Sequence, residues 1–325
     1  MNKKLAVVGA TGLVGRTVLK VLEEKNLPIS EYKLFASKNS KDKKINFLNK
    51  EYTINELTET SFDENFDYAI FSAGAETSKK YSPIAASKNC IVIDNSSAFR
   101  MDKEVPLVVP EVNKLDLLKH KNIIANPNCS TIQAVVALKP LDEKYKIKRI
   151  IYSTYQAVSG AGKKGILDLE NKETNKFPYQ IYNNILPQID VFLDNGYSKE
   201  EEKMINETRK ILHKPHLKIT ATCARVPVLN SHSESINIEF EKDFKLNELI
   251  KTLENAPGVI VQNNFKNQEY PMAINATGFD KVFIGRIRRD FSVQNGINMW
   301  VVADNIRKGA ATNAVQILEE LLKNN

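Results

Sequence analysis

Cysteine is scarce in this chain: Cys90, Cys129 and Cys223 are the only three in 325 residues. An odd, widely spaced set provides neither a disulfide framework nor a zinc pattern, and it suits a reducing compartment. Long apolar runs are missing too. None approaches the roughly 20 residues that a membrane-spanning helix needs, and the opening MNKKLAVVGATG has too short an apolar stretch, running straight into glycines, to read as a signal peptide. The expectation is a cytoplasmic protein with no membrane partner. Lysine and arginine exceed aspartate and glutamate by 46 to 39, but the positive residues are scattered, without the clustered patch that tracks a nucleic-acid backbone. Nucleic-acid binding is therefore not expected, whereas small anionic ligands would be attracted. Repeats and low-complexity linkers are absent. Hydrophobic residues at 42% and charged residues at 26% are those of an ordinary globular protein long enough for two domains.

Short apolar runs separated by helix-length segments fill the first third of the chain: Leu5–Val8, Tyr32–Ala36, Tyr68–Ser72, Ile91–Ile93, Leu107–Val109 and Ile123–Ala125. This pattern predicts a Rossmann-like doubly wound parallel sheet. After Pro140 the texture changes to alternation. Arg149–Val158, Leu217–Val228, Ser235–Phe240, Val282–Asp290 and Asn298–Ala303 read as half-buried antiparallel strands. They predict a C-terminal α+β domain with a mixed, mainly antiparallel sheet covered by helices on one face. The expected division is 1–126, completed by a C-terminal helix at 307–325, and 127–306 as a catalytic and dimerisation domain.

Gly9, Gly12 and Gly15 form G-x-x-G-x-x-G between the first strand and a helix pattern. Glycine there lets backbone approach a pyrophosphate whose charge rests on the helix N-terminus, so the motif predicts a dinucleotide site. NAD-preferring folds carry an acid at the end of the second strand to bind the ribose hydroxyls. Here that position holds Ser37, Lys38, Asn39 and Ser40, groups suited to a 2'-phosphate, and NADP is expected. SGAGKKG (159–165) is not a phosphate loop, because Ala157 and Lys164 stand where glycine and Ser/Thr are required. Its glycines let backbone pass close to a ligand.

NPNCST (126–131) falls at a strand-to-helix turn and places Cys129 in the first turn of a helix. Such positions stabilise a thiolate, a nucleophile, and N–H groups there can hold an oxyanion. Cys90 and Cys223, within apolar strand patterns, read as packing. His232 lies in LNSHSES with Arg225 seven residues upstream. If the two strands are adjacent, a fixed cation and an acid/base group share one pocket.

GATGLVG, DNSSAFR (94–100), PLVVPEVN (106–113), NPNCSTIQ (126–133), STYQAVSGAG (153–162), LPQIDVF (186–192), ATCARVPV (221–228), SHSESI (231–236) and FIGRIRRD (283–290) follow in order. In these stretches the chain resembles the aspartate-semialdehyde dehydrogenases, in their bacterial branch, over nearly its full length. The resemblance implies a glyceraldehyde-phosphate-dehydrogenase-like fold and reductive dephosphorylation of L-aspartyl 4-phosphate to L-aspartate 4-semialdehyde, in lysine, threonine, methionine, isoleucine and diaminopimelate biosynthesis. It implies Cys129 as nucleophile, Gln156 orienting the acyl group and His232 as acid/base. For substrate it implies Arg225 on the carboxylate, Glu200 near the amino end, and Arg100, Asn128 and Lys203 for phosphate. For NADP it implies Gly9, Thr11, Gly12, Leu13, Val14, Ser37, Lys38, Asn39, Ser72, Ala73, Gly74, Ser159, Gly160, Gly162 and Asn313. No metal is implied; inorganic phosphate is the second small partner, and the assembly is a homodimer or homotetramer. Many relatives carry an arginine where this chain has Lys38 and Asn39.

Overall fold

The computed structural model describes residues 3–323. They form two compact units, one of residues up to 128 together with those from 310 onward, the other 129–309.

The first unit runs β1 (Lys4–Val8), α1 (Leu13–Lys25), β2 (Glu31–Ala36), β3 (Lys44–Phe47), β4 (Lys50–Thr53), β5 (Asn55–Glu56), β6 (Tyr68–Phe71), α2 (Ala75–Ser87), β7 (Ile91–Asp94), α3 (Pro110–Asn113) and β8 (Ile123–Ala125), and is joined by the C-terminal helix Asn313–Lys323. Its six-stranded sheet is parallel with order β5-β2-β1-β6-β7-β8, the doubly wound dinucleotide-binding arrangement. Alternation explains the layers. Leu5 and Val7 join the cluster formed with Val18, Leu22, Leu318 and Leu321, whereas Ala6 and Val8 join Phe35, Phe62 and Phe71 on the other side. Each valine, leucine or phenylalanine fully buried there contributes about 1.5–3 kcal/mol.

Two details differ from the sequence reading. Leu107–Val109 is not a strand; Leu107 makes only an isolated bridge to Ala125, and Pro110 starts α3 immediately after the run. A hairpin, β3 with β4, is an addition, closed by Leu48 and Asn49, both at positive φ.

The second unit runs α4 (Cys129–Tyr145), β9 (Ile147–Gln156), α5 (Lys163–Asn171), α6 (Lys199–Ile211), β10 (Lys218–Arg225), β11 (His232–Phe240), α7 (Leu246–Glu254), β12 (Val259–Val261), α8 (Ala273–Ala276), β13 (Val282–Asp290) and β14 (Gly296–Ala303). The sheet order is β10-β9-β11-β14-β13-β12. Three of its pairs are antiparallel, but β10 runs parallel to β9 and β12 to β13. The expectation of an antiparallel β10 is thus corrected. A half-buried alternating pattern reports exposure of one face, not strand direction. The intervening α6 makes the crossover that a parallel pair requires; its N-terminus is fixed by a capping box between Ser198 and Glu201.

Candidate active site

In the first unit, residues at the C-terminal ends of β2, β1 and β6 lie side by side, the place where doubly wound sheets bind dinucleotides. Gly9 has φ +84°, and a Cβ on it would sit 2.4 Å from the Ser72 carbonyl oxygen. A Cβ on Gly15 would meet Gly9 O at 2.1 Å. Only glycine lets α1 start this close to β1 and β6. Gly12 caps α1, in front of Leu13 and Val14. Ser72, Ala73 and Gly74 continue β6, with Gly74 at φ +87° opening α2. Ser37 precedes a short 3-10 turn, Lys38–Ser40, and Thr11 Oγ1 reaches Ser40 Oγ at 3.4 Å. Ser37, Lys38 and Asn39 are exposed. The bare glycine cradle and the hydroxyl and ammonium groups after β2 fit a dinucleotide phosphate.

Arg100 is buried and fixed by carbonyls, with Nε donating to Asn126 O and Nη2 to Asn95 O, both at 2.9 Å. Asn313 is fully buried; its Nδ2 donates to Val108 O at 3.0 Å and to Asn126 Oδ1 at 2.7 Å, tying the C-terminal helix to the segment after β8. Asn128 is buried as the last residue of this unit before the chain enters the second at Cys129.

In the second unit Cys129 is the first residue of α4, and it alone among the cysteines is partly exposed. Cys90 and Cys223 are sealed in. Burial pushes the Cys90 thiol up to about 12, and it raises Cys223 as well, with Glu200 adding to the effect.

The sheet brings the other groups together. Arg225 pairs with Gln156 between β10 and β9, and Ser233 with Tyr155 between β11 and β9. The strands that carry Arg225 and His232 are therefore not adjacent, the condition on which the sequence reading put both in one pocket, and the two residues flank Gln156 across β9. They still converge: a Cβ on Gly160 would lie 2.9 Å from Arg225 Nη1 and 3.3 Å from His232 Nε2. The glycine in SGAG leaves room for both groups. Gly162, at φ +76°, caps α5.

Backbone fixes each head group. Arg225 Nη1 donates to Ala157 O at 2.7 Å, and Ala157 N–H donates to His232 Nδ1 at 3.0 Å. The neutral imidazole consequently carries its proton on Nε2. Burial, with the charge of Arg225, holds His232 well below the ordinary histidine value. Burial also works against the charge on Arg225; Glu200, with Cys129 and Cys223, works for it. Gln156 Nε2 donates to Glu200 Oε1 at 3.3 Å and to Thr154 Oγ1 at 3.3 Å. Lys203 Nζ bridges Glu200 at 3.1 Å and Asp190 at 2.9 Å. Burial pulls Lys203 down, but the two carboxylates outweigh it and leave the ammonium above its usual value.

Several participants escaped the sequence reading. Gln133, one turn beyond Cys129, donates from Nε2 to His232 O at 3.3 Å. Asn305 holds Ser159 Oγ through Nδ2 at 3.0 Å, and its Oδ1 accepts Ser231 N–H at 2.8 Å. Glu234, fully buried two residues beyond His232, has both carboxyl oxygens without a hydrogen-bond partner among the described residues. No group of three or more His, Cys, Asp or Glu among these residues could hold a metal. No described helix is long and apolar enough to cross a membrane.

A parallel dinucleotide-binding sheet followed by an α+β unit with glutamine, arginine and histidine gathered around one strand is the architecture of a dinucleotide-dependent oxidoreductase. Residues 4–120 match the family model for the semialdehyde dehydrogenase NAD binding domain, and 138–308 that for the semialdehyde dehydrogenase dimerisation domain. The chain belongs to the aspartate-semialdehyde dehydrogenase family. It is 56% identical to the aspartate-semialdehyde dehydrogenase of Aquifex aeolicus, with 99% of each chain covered. The crystal structure of aspartate semialdehyde dehydrogenase II complexed with ASA from Vibrio cholerae is similar at TM-score 0.94 and 45% identity, covering 99% of both chains. Aspartate semialdehyde dehydrogenase with NADP from Candida albicans is similar at TM-score 0.79 and 25% identity, covering 99% of this chain and 98% of that one.

Proposed function

We propose that the chain catalyses reductive dephosphorylation of L-aspartyl 4-phosphate to L-aspartate 4-semialdehyde, with NADP as cofactor and Cys129 as covalent nucleophile. The observation that carries this reading is the convergence of Arg225 and His232 on Gly160, on either side of Gln156. A buried cation whose Nη1 is held by a carbonyl, and by no carboxylate among the described residues, is placed to bind a substrate carboxylate, and the neighbouring imidazole offers Nε2. The 45%-identical Vibrio cholerae enzyme solved with ASA supports the substrate assignment.

The Cys129 sulfur attacks the acyl carbon, the C–O bond to phosphate breaks, and inorganic phosphate leaves with one proton. A thioester remains on Cys129. The reduced nicotinamide, when bound, would supply a hydride to the thioester carbon; the C–S bond then breaks, and Cys129 is released as its thiolate as the aldehyde forms. Gln156, anchored to Glu200 and Thr154, orients the acyl group. Arg225 holds the substrate carboxylate, with Glu200 toward the amino end and Lys203, Arg100 and Asn128 for the phosphate. His232 is the acid/base group; with Nδ1 occupied by Ala157 N–H, its exchange with substrate runs through Nε2.

Gly9, Thr11, Gly12, Leu13, Val14, Ser72, Ala73, Gly74 and Asn313 would hold the dinucleotide, with Ser37, Lys38 and Asn39 at the 2'-phosphate and Ser159, Gly160 and Gly162 beside the nicotinamide. The second unit pairs with that of another copy; the name of its family model and exposed Tyr179, Phe192 and Phe265 support this. The activity serves lysine, threonine, methionine and isoleucine synthesis in the cytoplasm.

Phosphate-dependent reduction of NADP and of NAD is measured with aspartate semialdehyde and, separately, N-acetylglutamate semialdehyde. Turnover is expected with the first substrate and a lower KM for NADP. Preference for the N-acetylated substrate, or for NAD, contradicts the corresponding assignment.

A further inference from the structure

The segment after β14 takes part in none of the chemistry above, yet it touches three elements of the second unit's cluster. A Cβ on Gly309 would fall 2.8 Å from Cys129 Cβ and 3.3 Å from its Cα. No side chain fits there unless the cysteine moves. Gly309 belongs to a π-helical turn beginning at Arg307, a type of local irregularity concentrated at functional sites. At the other end of the segment, Asn305 Oδ1 accepts the N–H of Ser231, which immediately precedes His232, while Nδ2 holds Ser159 Oγ next to Gly160.

Between these contacts the segment is braced. Asp304 O accepts Gly309 N–H at 2.9 Å. Its carboxylate accepts Ile306 N–H and Arg307 N–H through Oδ1, both at 2.9 Å, and Gly278 N–H through Oδ2 at 2.8 Å. Arg307 is locked to Asp280 through Nε at 2.9 Å and Nη2 at 3.0 Å. Asp304 and Asn305 are both buried. A rigid turn thus backs the nucleophile at one end and fixes the approach to His232 and the glycine loop at the other.

We infer that the turn from Asp304 to Gly309 sets the spacing between Cys129 and His232, with Gly309 and Asn305 as positioning residues for the reaction proposed above. The inference rests on that reading of Cys129 and His232. Gly309 lets the Cys129 Cβ rest against the turn, and a side chain at 309 would displace it. Asn305 supplies the complementary fixed point, because Ser231 has φ +70°, an uncommon conformation for a non-glycine residue that the Ser231 N–H bond to Asn305 helps to hold.

The test uses the full chain with Gly309→Ala and Asn305→Ala. Each is read by steady-state kinetics with aspartate semialdehyde, by the pH dependence of iodoacetamide alkylation of Cys129, and by thermal unfolding. Small displacements of reacting groups lower rates by about 10²-fold. Gly309→Ala is expected to lower kcat by about that factor with KM changed less than about threefold, and to shift the alkylation profile. Asn305→Ala is expected to lower kcat while leaving the alkylation profile where it was, because the contact behind Cys129 remains. Wild-type kcat in either folded variant overturns the proposal, as does a loss that only follows the unfolded fraction. If Gly309→Ala does not fold, Asn305→Ala decides. Wild-type enzyme that alkylates at Cys129 but turns over no semialdehyde sinks the functional reading instead, and the alkylation profiles still test the contact.

Discussion

Ala157 gives its backbone N–H to Nδ1 of His232 at 3.0 Å, and nothing among the described residues bonds to Nε2. Burial and Arg225 both disfavour the imidazolium, so the resting ring is neutral with its proton on Nε2. Long-range ¹H–¹⁵N spectra of histidine-labelled protein are expected to show that tautomer unchanged from about pH 6 to about pH 8. A group whose folded pKa lies below its unfolded value stabilises above the unfolded value and loses that contribution as pH falls. Wild type should therefore lose stability relative to His232→Asn as pH drops below the ordinary histidine value. A charged ring at neutral pH contradicts this.

Glu234 carries the opposite sign. Burial, with Glu200 nearby, raises its carboxyl well above the usual range, and its two unpartnered oxygens offer no compensation for ionising. The contribution is whole below the unfolded carboxyl value and is lost as pH rises toward the folded one. Glu234→Gln, which copies the protonated form, is expected to raise the melting temperature at neutral pH by about 2–4 °C per kcal/mol recovered, with a gap that widens as pH rises. Calorimetry at several pH values checks it; a gap that closes toward high pH refutes it.

Strand periodicity made both sheets legible, because alternation and short apolar runs record which faces are buried. Direction and adjacency were not recorded. The parallel β10 and the interposed β9 depend on α6 crossing over, and residues 218–225 look alike in either direction. The β3–β4 hairpin was hidden because its turn uses Leu48 and Asn49 rather than a glycine pair. Cys129, Arg225 and His232 were visible as reactive types in marked local settings, whereas Gln156 was reached only through the family resemblance. The Ala157 N–H, Gly309 and Asn305 were not, since a backbone donor, a missing Cβ and an amide acting across 74 residues from Ser231 leave no local signature. The glycine in RKGAATN was the one available hint.

Gly9→Ala probes the glycine turn. Its positive φ disfavours a side chain by about 1–2 kcal/mol, and the new Cβ would strike the Ser72 carbonyl at 2.4 Å. The variant is expected to unfold more easily in the first unit and to lose NADPH fluorescence enhancement, while Cys129 still alkylates. Wild-type cofactor binding would contradict the cradle.

Arg225→Lys keeps a charge but loses the forked donor that serves Ala157 O and, in the proposed mechanism, a substrate carboxylate. KM for aspartate semialdehyde should rise at least about tenfold, a change of roughly 1.4 kcal/mol. An unchanged KM removes Arg225 from substrate binding.

The covalent role proposed for Cys129 can be tested directly by mass spectrometry. Protein mixed with L-aspartyl 4-phosphate in the absence of reduced cofactor, quenched in acid and digested, should carry one aspartyl acyl group on the peptide containing Cys129, removable by hydroxylamine and absent from Cys129→Ala. No acyl group on that peptide, or the same group on the alanine variant, would contradict the thioester route.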